Sequence, residues 1–159
     1  MEMYGVLCTL SDKRLRQIEQ TPALVSELVG ARDDGDVPGL LDLGRKWDAL
    51  DVILSDRGRD PVLGDAILAR TGRTIGPDLS FGRARVLTPA RVAEISVAVT
   101  KLPRDHVRQR YAKLVDMTVH GDYGKDDEHA DELARGLGQV VALYARAAQA
   151  GHGMLAAVV

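Results

Sequence analysis

Cysteine is almost missing from this chain. Cys8 is the only one in 159 residues, so no intramolecular disulfide forms and packing alone must hold the fold. Long apolar runs are missing as well: none approaches the ~18 residues that a membrane span needs. The opening residues Met1-Glu2-Met3-Tyr4-Gly5 lack the basic and apolar regions of a secretory signal. Excess charge of one sign is missing too, with 21 Lys and Arg against 23 Asp and Glu and a net charge of -2. A near-neutral chain has no overall drive toward nucleic acid or an anionic membrane. These absences lead to the expectation of a cytoplasmic protein that binds neither. The phosphate-binding patterns G-x-x-x-x-G-K-[ST] and G-x-G-x-x-G do not occur, nor does the serine elbow G-x-S-x-G. No cofactor is therefore expected.

What is present is ordinary for a folded domain. Hydrophobic residues make up 45% and charged residues 28%, with a mean hydropathy of -0.10. Residues 1–159 fit a single domain, and a chain of this length buries about two-thirds of its unfolded surface. Arginine outnumbers lysine, a bias typical of bacterial proteins from GC-rich genomes.

Residues 3–10 are apolar and stop at Ser11-Asp12, which predicts a buried strand followed by a helix cap. Thr21-Pro22 and Thr88-Pro89 each read as an N-cap with proline in the first helical turn. Leu43, Trp47, Leu50 and Leu54 recur at four, three and four and predict one helix over 43–54. The glycine-punctuated stretch 55–87 holds a short helix over 62–69 and a strand over 83–87. Val92, Ile95, Val99 and Leu102, and then Val107, Tyr111 and Leu114, mark two further helical faces. The last helix runs over 126–150, with Gly151 at its C′ position, and 154–159 is a final strand. The fold class expected is α+β, a single domain. It has a small mixed sheet formed from N-terminal, central and C-terminal strands, covered by about five or six helices.

Several stretches carry a family resemblance. They are the N-terminal Met3-Tyr4-Gly5 strand, 43–54 (LGRKWDALDVIL), 60–68 (DPVLGDAIL), 75–89 (IGPDLSFGRARVLTP) and 143–148 (LYARAA). In this order they resemble the YfbM-like family, small bacterial proteins grouped as a domain of unknown function. The resemblance spans nearly the whole chain. It implies an α+β fold and no particular activity.

Four places carry side chains suited to a site. His120, Asp122 and His129 are the candidate metal ligands, because imidazole with carboxylate suits zinc or a transition metal. Their spacing matches no H-E-x-x-H signature, and charging of the last helix's first turn accounts better for Asp126, Asp127 and Glu128; no metal is assigned. Residues 55–91 hold seven arginines against four aspartates, and Arg73, Arg83 and Arg85 are candidates for an anion site. Residues 116–132 hold seven acids and one base, a charged patch able to select a partner protein by sign. Trp47, with Asp48 and Asp51, either lines a pocket or anchors the core while its helix turns both carboxylates to water. Cys8 reads as a buried, inert thiol.

Two functions follow as expectations. One is a non-enzymatic protein-binding or accessory module, of immunity type among others, working through charged patches. The other is a small-molecule-binding protein or enzyme with a pocket near Trp47, Tyr123, Arg83 and Arg85.

Overall fold

The computed structural model describes residues 2–117, 119, 123 and 127–159. Strand β1 (Gly5–Leu10) is buried along most of its length. Val6, Cys8 and Leu10 lie in one apolar cluster and Leu7 in another. A strand buried on both faces needs helices on both sides of its sheet, and the fold supplies them.

The sheet has five strands in the order β2-β1-β5-β4-β3. They are β1, β2 (Leu40–Gly44), β3 (Arg73–Asp78), β4 (Arg83–Leu87) and β5 (Gly153–Val158). The N-terminal, central and C-terminal strands meet as expected. The expected mixed sheet is corrected: all four pairings are antiparallel. Two further strands form its edges. β3 pairs with β4 as a hairpin, and the register jumps between Ile75 and Asp78. Gly76 and Pro77 form that irregularity, and a proline that cannot donate to a ladder is tolerated at an edge.

On one face lie α1 (Asp12–Gln20) and α2 (Leu24–Gly30). Ile18, Val25 and Val29 pack there against Val6, Cys8, Leu10 and Leu155. On the other face lie α3 (Trp47–Ser55), α4 (Pro89–Thr100), α5 (His106–Val115) and α6 (Asp127–Ala150). Leu50, Ile53, Val92, Ile95, Leu133 and Val140 close that face over Leu7, Leu87 and Met154. The result is three layers, with a sheet between two unequal helical coats.

The caps follow local chemistry. The Ser11 hydroxyl accepts from the Arg14 N–H at 3.1 Å, and the Thr88 hydroxyl accepts from the Arg91 N–H at 3.2 Å with Pro89 in the first turn. Gly151, at φ +66, ends α6 in a left-handed turn. There the N–H groups of Gly151 and His152 reach the carbonyls of Ala148 and Ala147 at 3.2 and 2.9 Å. Thr21 is not the N-cap of α2 but the C-cap of α1: its backbone N–H donates to the Gln17 carbonyl at 2.9 Å, and α2 starts only at Leu24. The helix expected over 43–54 splits, because Leu43 belongs to β2 and Gly44, at φ +55, turns the chain before Trp47. The helix expected over 62–69 is a single 3-10 turn at Leu63–Asp65.

Candidate functional site

The glycine-punctuated segment after α3 seats Leu63, Ala66, Ile67 and Ala69 in the core, and polar groups fix the rest of its path. Two buried carboxylates do this. Asp51 is 1% exposed and sits in a helix whose residues 49–55 are all buried. The expectation that α3 turns Asp51 to water is therefore corrected: the helix has no wet side there. Arg70 compensates the charge. Its Nη1 donates to Asp51 Oδ1 at 2.7 Å and its Nη2 to Oδ2 at 2.5 Å. Nη1 also donates to the Gly64 carbonyl at 2.7 Å. The Ser55 hydroxyl lies 3.2 Å from Asp51 Oδ1. The hydrogen bond to Asp51 raises the affinity of the Arg70 guanidinium for its proton above the ordinary value.

Asp65, also 1% exposed, is the second anchor. It accepts from the Thr71 N–H at 2.8 Å, the Thr71 hydroxyl at 2.6 Å and Arg91 Nε at 2.8 Å. Burial alone pushes its carboxyl upward, but the Thr71 and Arg91 hydrogen bonds outweigh burial and leave it below its ordinary value. Just after Asp65, Ala69 is fully buried at φ +48, a left-handed conformation that costs a residue with a Cβ about 1 kcal/mol or more. The backbone holds it there: Ala69 donates to Asp65 at 3.0 Å and Gly72 donates to Ala69 at 2.8 Å.

Beside this braced turn lies a pocket of about 270 Å³. Ala156, Ala157 and Val158 of β5 line one side, with Leu68 and Phe81 also in its wall. The charged groups in the lining are Arg70, Arg83 and Arg85, and no carboxylate among the described residues shares it. The small side chain of Ala156 stands opposite Arg85 in the strand register. Arg85 Nη1 is held by neutral acceptors, the carbonyls of Arg70 at 3.2 Å and Gly72 at 3.1 Å. Arg83 is held the same way, with Nε on the Gly76 carbonyl at 2.7 Å and Nη1 on the Thr74 hydroxyl at 3.2 Å.

Pairing separates these two from the rest. Of the seven arginines in 55–91, five meet carboxylates: Arg57 with Asp48, Arg59 with Asp56, Arg70 with Asp51, Arg73 with Glu19 and Arg91 with Asp65. Arg83 and Arg85 have no carboxylate partner among the described residues. Backbone carbonyls and the Thr74 hydroxyl orient them without cancelling their charge. Asp78 stands opposite Arg83 in the strand register but forms no ion pair with it among the described residues, and the pocket lining carries a positive field.

The other sequence candidates lie elsewhere. Arg73 points to Glu19 and lines a different hollow, next to Thr88 and Pro89. Trp47 is half-buried against the larger cluster, and its indole N–H donates to the Met3 carbonyl at 3.2 Å. Asp48 meets Arg57 at 3.6 Å. Tyr123 stacks edge-on with His129, ring centres 6.0 Å apart, in a pocket shared with Lys46 and Glu132. Burial pushes its hydroxyl up to about 12. Arg83 and Arg85 thus line one pocket and Tyr123 another, where the sequence reading placed all three around one.

His120, Asp122 and Asp126 fall outside the described residues. Among those described, no three His, Cys, Asp or Glu side chains come together as metal ligands would. In the acidic stretch 116–132, Asp131 meets Arg108 at 2.8 Å and Glu132 meets Lys46 at 3.8 Å. No helix among the described residues is long and apolar enough to cross a membrane.

Sequence reading missed Arg70 and Asp65. A signal existed for Asp51: the carboxylate is flanked by Ala49, Leu50, Val52, Ile53 and Leu54. A helix apolar on every side is buried, and a carboxylate inside it demands a cation.

Comparison with known proteins adds the family. The model of DUF1877, a domain of unknown function, matches residues 1–157. The chain belongs to this family. The DUF1877 chain is also similar to YfbM from Escherichia coli, whose crystal structure is described as that of a protein of unknown function. The two superpose with a TM-score of 0.70 at 16% identity, over 98% of this chain and 99% of the other. That likeness shows a shared α+β fold. No curated protein matches the sequence.

Proposed function

We propose that this DUF1877 protein is a cytoplasmic, non-enzymatic binding module that takes up an anionic small molecule in the pocket of Arg70, Arg83 and Arg85. The observation that carries this reading is the pairing pattern: Arg83 and Arg85 are oriented by neutral oxygens while their neighbours are neutralised by acids. A guanidinium fixed in place and left charged is prepared for carboxylate or phosphate oxygens.

The reactive groups elsewhere favour binding over catalysis. Asp51 and Asp65 are tied to arginines, so their oxygens are occupied by fixed donors and not presented to a substrate. Burial pushes the Cys8 thiol up to about 11, far from a reactive thiolate. A second reading, an accessory or immunity-type module that grips an acidic side chain of a partner protein, draws support from the exposure of Arg83 at the pocket's edge.

Calorimetric titration with inorganic phosphate and with citrate, at fixed ionic strength, tests the proposal. Saturable heat is expected for the native chain, weakened about tenfold or more in Arg85→Gln, because hydrogen bonds to charged groups are worth about 1.5–3 kcal/mol. If neither anion nor any short carboxylic acid gives saturable heat, the small-anion reading fails.

A further inference from the structure

The two unpaired arginines stand two residues apart on β4. They therefore project to the same face of the sheet, with backbones roughly 6–7 Å apart along the strand. Separate ties keep their head groups from merging into one clamp. Arg85 is bound to the carbonyls of Arg70 and Gly72, ahead of β3. Arg83 is bound to Thr74 and Gly76, further along β3.

Each head group retains donors. Arg85 has spent Nη1, and its Nε and Nη2 hydrogens have no acceptor among the described residues. That side-on edge matches the two oxygens of one carboxylate. Arg83 has spent Nε and one bond of Nη1, which leaves Nη2. Arg70 adds donors but no net charge, since Asp51 balances it. The strand beside the two arginines presents Ala156 and Val158 to the pocket, a surface for carbon and not for oxygen.

Two separated cationic heads beside an apolar floor call for two separated anionic ends joined by a short carbon chain. Resting on the anion-pocket reading above, we propose that the ligand is a short aliphatic dicarboxylic acid of about four to six carbons, a length matched to the strand rise between the two arginines. One carboxylate takes the side-on edge of Arg85 and the other meets Arg83, with the methylenes over Ala156 and Val158. The ligand's two negative charges cancel the two unpaired positive ones. A single phosphate satisfies one head group and leaves the apolar floor wet.

The test is calorimetric titration with glutarate, adipate, butyrate and inorganic phosphate at fixed ionic strength, on the native chain and on Arg83→Gln. Glutarate or adipate is expected to bind about tenfold or more tighter than butyrate and phosphate, since a second charge-assisted contact is worth about 1.5–3 kcal/mol. In Arg83→Gln the diacids should lose about tenfold more affinity than butyrate does, so that their advantage over butyrate vanishes; Arg83 is exposed, so the variant folds, and a native melting curve checks this. Phosphate binding as tightly as the diacids, or an advantage that survives Arg83→Gln, overturns the dicarboxylate and leaves the anion pocket standing. Saturable binding by none of the four overturns both.

Discussion

Arg70 grips Asp51 end-on, two nitrogens against two oxygens at 2.7 and 2.5 Å, across 19 residues of chain. The pair ties the fully packed helix α3 to the segment that follows the 3-10 turn at Leu63–Asp65. Asp51→Asn removes the charge and leaves Arg70 uncompensated. A loss of about 2–3 kcal/mol is expected, below the full range for a buried pair because Arg70 is partly exposed. Urea denaturation measures it. Replacing both partners, Asp51→Leu with Arg70→Met, should cost less than the sum of the single changes.

Asp65 sets an acid limit. Its folded-state carboxyl lies below the ordinary value, so its contribution is complete above the unfolded value of ~3.9 and is lost as pH falls through the folded one. The urea midpoint should therefore decline below about pH 4. In Asp65→Asn the midpoint should start lower and decline less steeply. An identical slope in both proteins would remove Asp65 from the account.

Gly5 abuts the indole. A Cβ there would collide with the Cβ and ring of Trp47. Gly5→Ala should cost about 1–3 kcal/mol through overpacking and shift the fluorescence of the single tryptophan. A variant as stable as the native chain, with unmoved emission, would show that the indole yields freely.

Tyr144, fully buried, donates its hydroxyl to the Ala66 carbonyl at 2.6 Å. Tyr144→Phe leaves that carbonyl without its donor inside the core. Destabilisation of about 1–2 kcal/mol is expected in thermal or urea melts.

Cys8 should react with maleimide only when the sheet opens. Its side chain is buried, and burial holds the thiol near 11. Labelling of the native protein at neutral pH should be far slower than in urea, with a rate that follows destabilisation by the variants above. Fast labelling of the native state would place the thiol at the surface.

Periodicity showed the interior and not the edges. β1 and β5 carry runs of apolar residues that announce themselves, β4 alternates arginine with apolar residues, and α4 and α6 keep one-sided stripes. The edge strands carry weaker signals. In β3 only Ile75 and Gly76 are buried, and Gly76-Pro77 breaks the alternation; in β2, Leu43 happens to stand at helical spacing from Trp47. Arg83 and Arg85 were legible as anion-binding types because arginine's planar fork is a local property. Their lack of acid partners was not, since it depends on where Asp48, Asp51, Asp56, Asp65 and Glu19 arrive in space. Asp65, 26 residues from Arg91, leaves no trace in any window of sequence.

The strand at the middle of the sheet, β5, comes after every other element in the chain. During synthesis, β1 with β2 and β3 with β4 emerge as two pairs whose inner edges have nothing to join them. Until residues 153–158 are added, this gap stays open. A chain stopped a few residues early would expose two unprotected strand edges, the kind of surface that recruits chaperones or aggregates.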